Sequence, residues 1–360
     1  MCSTLKKQNF KLLNIFLIIL TLVLWSAGCT NKQSEQTHSE STQSSTKKTI
    51  TDMSGRKVII PSQVNRIAIN GTAMTQLAVM IGGADKIVAT LPSIKSNPWY
   101  IKIYPKIETV SAPFDKEVNI EELIKSKPDV VVLWSGKEAL QKKIEQLNIP
   151  VVIISYDTPE ELKKSVTLMG NLLGEEENKK ASEFCSYYDS NIKRITEKTS
   201  SISDNDKLKV YYSADSPLST DGNNSIVTSW IETAGGINTA AQNGVTGMSK
   251  TVSIENVVQW NPDVIIVRDA PNKDAILKDE RFKNINAVKN NKVYINPKGV
   301  NVWCARSGDN ALQVLWAAKT LYPDMFTDID MSKEVEEFYK IYYNYNVNSE
   351  DLDDIMNPKK

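Results

Sequence analysis

The sequence predicts an α/β protein of two related lobes, each built on a mostly parallel sheet, joined by one long backbone helix and leaving a ligand groove between them. Three observations carry this prediction. The first is an internal repeat: Ile120-Glu121-Glu122-Leu123 leads to Pro128-Asp129-Val130-Val131-Val132, and 134 residues later Ile254-Glu255-Asn256-Val257 leads to Pro262-Asp263-Val264-Ile265-Ile266. Each copy reads as a short amphipathic helix, a proline stop, a Pro-Asp turn and a continuous apolar run, the pattern of a parallel strand covered on both faces. The second is the alternation of such runs with helical segments, which points to open sheets. The third is a long amphipathic stretch between the two repeats.

The N-terminus is set apart from the fold. Lys6, Lys7 and Lys11 precede an apolar run of about 14 residues and then Ser26-Ala27-Gly28-Cys29, the pattern of an export signal over residues 1–28. The run is shorter than the roughly 20 residues of a stable membrane-spanning helix. Its end resembles a bacterial lipobox, with Ser26 where that motif usually carries leucine; the resemblance implies that Cys29 takes a lipid and becomes the first mature residue. Residues 29–48 then hold no aliphatic or aromatic side chain after Cys29 and cannot repay the entropy of ordering, so they read as a tether. A flexible chain of that length reaches on the order of 25 Å, enough to hold a domain off a membrane surface.

The folded part divides into an N-terminal lobe (49–157), linking helices (158–200) and a C-terminal lobe (201–360). Strands are expected at 66–69, 86–89, 130–133 and 151–154 in the first lobe and at 208–212, 264–267 and 292–295 in the second. Gly82-Gly83 and Gly235-Gly236 end the helices before them, since glycine adopts positive φ without strain. Thr158-Pro159-Glu160-Glu161 is a capping box with proline at the first helical position, and its helix stops at Gly174. From Glu175 to about Thr199, Phe184, Tyr188, Ile192 and Ile195 recur near helical spacing, a rod of roughly 36 Å at 1.5 Å per residue.

Composition excludes several functions. The precursor has 43 basic and 43 acidic side chains, and loss of the three signal lysines leaves 40 against 43, so nothing attracts nucleic acid. Cys2 leaves with the signal and Cys29 is the lipid site, so Cys185 and Cys304 make no disulfide framework. The single histidine, His38, lies in the tether. Triads with a histidine base and imidazole-bearing metal sites are therefore excluded from the folded part. Cys304 alone cannot build a metal site, and Asp52, Asp129 and Asp263 read as turn residues. No cofactor is implied.

Open α/β sheets bind ligands beyond the carboxyl ends of their strands. Those ends carry Asn70-Gly71, Trp134-Ser135-Gly136 and Ser155-Tyr156 in the first lobe, and Ser213-Ala214-Asp215, Arg268-Asp269 and the loop 296–306 in the second. Trp99, Tyr100, Trp134, Tyr156, Tyr212 and Trp303 offer flat walls, and Arg268 and Arg306 offer forks for carboxylate or other oxyanions. By the repeat offset, Trp134 and Arg268 occupy equivalent, facing positions.

The opening Thr51-Asp52-Met53-Ser54-Gly55-Arg56-Lys57-Val58, then Pro61 and Arg66-Ile67, resembles that of solute-binding proteins serving ABC importers of iron siderophores, haem and cobalamin. The Pro-Asp-Val repeat, Asn290-Asn291-Lys292-Val293-Tyr294 and a closing helix over 311–322 match as well. The resemblance implies a non-enzymatic carrier, lipid-anchored outside the cytoplasm, that hands its solute to a permease and ATPase complex. Siderophore-type iron chelates come first as cargo, with cobalamin, haem and oxyanions such as molybdate behind; haem would need a tyrosine axial ligand. A surface hydrolase without histidine is the alternative from another class. Family members commonly carry a docking glutamate on each lobe, and the matching positions here are Gln76 and Ser229, with Glu232 one helical step from Ser229 and able to take over its role.

Cys29→Ser is expected to abolish fatty-acid labelling and release the protein from membranes while the lobes stay folded; a variant that still labels and stays membrane-bound overturns the lipobox reading.

Overall fold

Most strands of the two main sheets are short apolar runs, and in each lobe an aspartate before the third strand pins the first strand at its start. In the computed structural model, which describes residues 46–359, twelve strands are formed. A hairpin of β1 (Lys47–Thr51) and β2 (Lys57–Pro61) comes first, its first strand starting two residues inside the stretch read as tether. The first sheet holds β3 (Ile67–Asn70), β4 (Ile87–Ala89), β5 (Val130–Trp134) and β6 (Val151–Ile154), all parallel, in the order β4-β3-β5-β6. A small antiparallel pair, β8 (Ser219–Thr220) with β10 (Lys250–Thr251), flanks the second sheet. That sheet holds β7 (Lys209–Ser213), β9 (Ile237–Asn238), β11 (Val264–Val267) and β12 (Val293–Ile295), all parallel, in the order β12-β11-β7-β9. Counted from the start of each lobe, both sheets have strand order 2-1-3-4. The signal region and nearly all of the tether lie outside the described residues.

The repeat performs the same task twice. The Asp129 carboxylate accepts hydrogen bonds from the backbone N–H of Asn65 and Arg66 (2.8 and 2.9 Å), and Asp263 accepts from Lys209 N–H (3.0 Å). Each aspartate thereby ties the repeat strand to the first strand of its lobe. Lys127 and Asn261, equivalent residues before the prolines, share a left-handed backbone at φ 45° and 44°. Asp52 closes the hairpin turn, accepting from Ser54 and Arg56 N–H (both 3.0 Å), and reaches Ile153 N–H (3.2 Å) to fasten the hairpin to β6.

Both faces of each sheet are buried. In β5, Val130 and Val132 join a large central core while Val131 and Leu133 pack outward under Leu123 and Ile144. In β11, Val264 and Ile266 enter the same central core, and Ile265 and Val267 meet Val257 and Phe282 on the outside. The helix Pro159–Leu173 starts with Thr158 capping Glu161 N–H (3.3 Å). The backbone helix Glu175–Thr199 runs for 25 residues, with Phe184, Tyr188 and Ile195 buried and Ile192 partly so. It packs on the helix Asn310–Leu321, where Asn191 Nδ2 donates to Ala311 O (2.9 Å) and Tyr188 Oη donates to Asn310 Oδ1. The helices Met331–Tyr343 and Ser349–Met356 complete the chain.

One buried polar network ties the lobes. Gln76, in the helix Thr72–Met80, donates from Nε2 to Tyr343 Oη (2.7 Å), and Tyr343 donates on to Asp309 Oδ1 (2.8 Å). Gln76 Oε1 accepts from Gly308 N–H (3.1 Å) and Ser307 Oγ (3.2 Å). Gln76, the expected permease-docking position of the first lobe, is fully buried and held by groups of the second lobe, so it is not open to a partner surface in this structure.

Burial pushes the Asp309 carboxyl up to about 7, against the hydrogen bonds from Tyr343 and Asn301 N–H, which favour its charged form. A carboxyl whose folded value lies above its unfolded value holds its proton longer in the folded state. Its contribution is therefore favourable at low pH and is lost as pH rises from about 4 to about 7, by a few kcal/mol at most at ~1.4 kcal/mol per unit. Asp309→Asn should flatten the pH dependence of denaturant-induced unfolding across that window. Equal slopes in wild type and variant would show that Asp309 does not titrate there.

Candidate functional site

The strand orders place a switch point in each lobe between its first and third strands, β3 and β5 in one and β7 and β11 in the other. Loops leaving the carboxyl ends on either side of such a point diverge and open a crevice. On the first lobe the crevice is edged by Asn70 and by Trp134 with the turn after it, and on the second by Ser213–Asp215 and Arg268.

Three of the expected site residues converge. Trp134 is half-buried at the end of β5, with the Tyr156 ring against it edge to face at 5.1 Å. The Arg306 guanidinium, from the loop before the helix Asn310–Leu321, lies over the Trp134 ring at 5.0 Å. Its Nε donates to Asp157 Oδ1 (2.7 Å) and Tyr156 O (3.1 Å), and Nη2 lies 2.5 Å from the same carboxylate oxygen. A second-lobe arginine is thus held by three groups of the first-lobe side, and Nη1 has no hydrogen-bond partner among the described residues.

The other expected residues stand apart from that cluster. Arg268 pairs with Asp215 of its own lobe (2.6 Å), so the side chain that meets Trp134 is Arg306 and not the repeat-equivalent Arg268. Tyr212 is buried with its hydroxyl 3.2 Å from Cys304 Sγ, and burial pushes that thiol up to about 12, which keeps it an uncharged core group. Tyr100 is buried and donates to Thr72 O (3.1 Å). Trp303 is buried, and its Nε1, like Tyr156 Oη, has no partner among the described residues. Trp99 packs on Tyr339 (5.4 Å) and Tyr345 (6.2 Å) beneath the Lys102 ammonium. Ser229 bonds back to Ser225 O (3.2 Å), and Glu232 is exposed.

Sequence reasoning passed over five groups here. Asp157 and Lys137 each lie one residue beyond the strand-end segments it singled out. Asn70 and Asp215 fell inside those segments without being picked as contacts. Asp221, which accepts from Ser249 N–H (2.7 Å) and is pushed up by burial, had no local signal at all. Among the described residues, no group of three or more His, Cys, Asp or Glu could hold a metal ion, and no helix is long and apolar enough to cross a membrane.

This architecture, two parallel sheets of equal topology with a crevice at facing strand ends and a single long helix between them, is that of a solute carrier. A family profile described as periplasmic binding protein matches residues 67–299. The molybdate-binding protein MolA of Haemophilus influenzae is 32% identical over 321 residues, covering 82% of this chain and 90% of the relative. Its molybdate-bound structure superposes with a TM-score of 0.75 at 30% identity, over 84% of this chain and 99% of that one. A periplasmic solute-binding protein from Veillonella parvula gives the same TM-score, 0.75, at 30% identity, over 87% and 97% of the two chains. The uncharacterized ABC transporter substrate-binding lipoprotein YvrC of Bacillus subtilis is 29% identical over 326 residues, 87% of this chain and 98% of the relative. The chain belongs to the periplasmic binding protein family and is a substrate-binding protein of an ABC importer.

The two loop residues differ in what they do for stability. Trp303→Ala, at a fully buried ring, should cost about 3–5 kcal/mol in denaturant unfolding. Arg306→Ala, which removes a half-exposed ion pair, should cost no more than about 1 kcal/mol. The reverse ranking would contradict the burial described.

Proposed function

We propose that this protein carries a compact anionic solute, with an oxyanion of the molybdate type first, and is held at the membrane surface by a lipid on Cys29. The observation that carries the reading is the Arg306 bridge. A second-lobe guanidinium within hydrogen-bond distance of Tyr156 O and Asp157 and over the Trp134 ring leaves less room there for a broad flat chelate than for a small ion. The buried, unpartnered hydroxyl of Tyr156, whose ring packs on Trp134, supports it, because an acceptor-rich oxyanion is the ligand class that satisfies such a donor. The 32% identity to a protein named for molybdate binding supports it independently.

An iron chelate is the second reading. It is favoured by the resemblance of the mature start to siderophore carriers and by the 21% identity to the iron(3+)-hydroxamate-binding protein YxeB of Bacillus subtilis. Both readings share the same importer role, and neither involves catalysis.

Isothermal titration of the purified chain with sodium molybdate, sodium tungstate, a ferric hydroxamate and cobalamin separates them. Molybdate or tungstate is expected to bind, with Arg306→Ala weakening the interaction about tenfold or more, as truncation of a charge partner in a desolvated contact does. Binding of the ferric hydroxamate with no response to either oxyanion would reverse the order.

A further inference from the structure

Three cationic side chains stand beyond strand carboxyl ends: Lys137 after β5 and Arg268 after β11, each beside a switch point, and Arg306 in the loop that follows β12. Two are already neutralised. Arg268 is paired with Asp215 at 2.6 Å and Arg306 with Asp157 at 2.5 Å. Lys137, three residues past the end of β5, has a different partner: its Nζ donates to Asn70 Oδ1 at 3.1 Å. Asn70 is a neutral amide at the end of β3, the neighbour of β5 across the first lobe's switch point, and no carboxylate pairs with Lys137 among the described residues.

The pair has a fixed chemical sense. An ammonium can only donate, so Asn70 must turn its carbonyl oxygen to Lys137 and its Nδ2 away. That Nδ2 has no hydrogen-bond partner among the described residues. The two groups line a cavity of about 450 Å³. The other charged groups in its wall, Lys116, Lys143, Asp115 and Glu117, are exposed and cancel in sign, so Lys137 gives the cavity its net positive charge. Partial burial draws the Lys137 ammonium below its ordinary value, as expected for a charge removed from water without a counter-ion.

We propose that Lys137 and Asn70 form an anion subsite on the first lobe that takes an oxygen face of the bound oxyanion through an unpaired ammonium and an amide N–H. The inference rests on the oxyanion reading above and assigns its first-lobe contact. At Arg306 an incoming anion meets a donor edge already occupied by Asp157. At Lys137 it displaces no protein carboxylate and supplies the missing counter-charge. A charge-assisted contact of this kind is stronger than a neutral one and falls away when the ammonium is removed.

The test is titration of the full folded chain with sodium molybdate, and with sodium tungstate as a second probe. Lys137→Met, which keeps an unbranched side chain one atom shorter and removes the charge, is expected to weaken molybdate binding about tenfold or more. Lys137→Arg should stay within about threefold of wild type, since charge and donors persist. Asn70→Asp gives Lys137 the in-house carboxylate that Arg268 and Arg306 already have, and should weaken binding at least as much as Lys137→Met. Unfolding curves equal to wild type for Lys137→Met exclude a folding defect as the cause. If Lys137→Met binds molybdate within twofold of wild type while Arg306→Ala binds weakly, the subsite is overturned and the oxyanion reading stands. If wild type binds neither oxyanion, the oxyanion reading and the subsite that rests on it are both overturned.

Discussion

The constraint on which the rest of this structure depends is that both sheets bury both of their faces. Strands such as Val130–Trp134 and Val264–Val267 have no solvent side on which to carry polar function. Parallel pairing also turns every carboxyl end of a sheet toward the same edge. Polar chemistry is thereby forced to the strand ends, where backbone leaves the sheet and side chains regain access to water or to a ligand. The common 2-1-3-4 order then selects which ends matter, because only at the reversal of order do neighbouring loops part. Asn70, Trp134, Lys137, Asp215 and Arg268 all stand at those reversals, one set in each lobe.

The charges at the crevice are balanced in a graded way. The Arg268–Asp215 pair belongs to one lobe and is half exposed, so its contribution to stability is small. The Arg306–Asp157 pair connects the loop 296–306 to the first-lobe side, and the flat contact with Trp134 gives the guanidinium one orientation. With its Nε and Nη2 held, the arginine has lost much of its rotamer freedom before any solute arrives, so less entropy remains to be lost on binding. Lys137 lacks such a partner. The crevice thus combines pre-organised, neutralised groups with one cation whose counter-charge the protein itself does not supply.

Away from the crevice, the lobes meet through buried polar groups as well as apolar packing. Gln76, Ser307, Asp309 and Tyr343 form a network in which each buried donor and acceptor among the contacts described has a partner. Apolar contact alone tolerates sliding of one surface over another, whereas hydrogen bonds in a water-poor interior fix register, because a displaced group would be left unsatisfied. Asp309 is the costly member, held close to neutrality by its burial. The helix carrying Gln76 is buried over nearly its whole length, which is why its polar residue turns inward to the second lobe.

By itself the sequence determined the elements and their kind. The Pro-Asp-Val repeat located β5 and β11, and the spacing of Phe184, Tyr188, Ile192 and Ile195 gave the backbone helix within a residue of its ends, because burial patterns and caps act within a few residues of chain. The two-residue β9 was too short to carry a pattern, and the terminal helices Met331–Tyr343 and Ser349–Met356 went unassigned. Residue type also narrowed the crevice to strand ends rich in aromatic and arginine side chains. Only the tertiary structure decided which of them meet. Trp134, Tyr156, Asp157 and Arg306 lie up to 172 positions apart and are joined by packing, as are Gln76 and Tyr343 at 267. It also showed Tyr100, Tyr212 and Trp303 to be fully buried. An aromatic ring reads alike in core and cleft, and its exposure depends on what the rest of the chain lays over it.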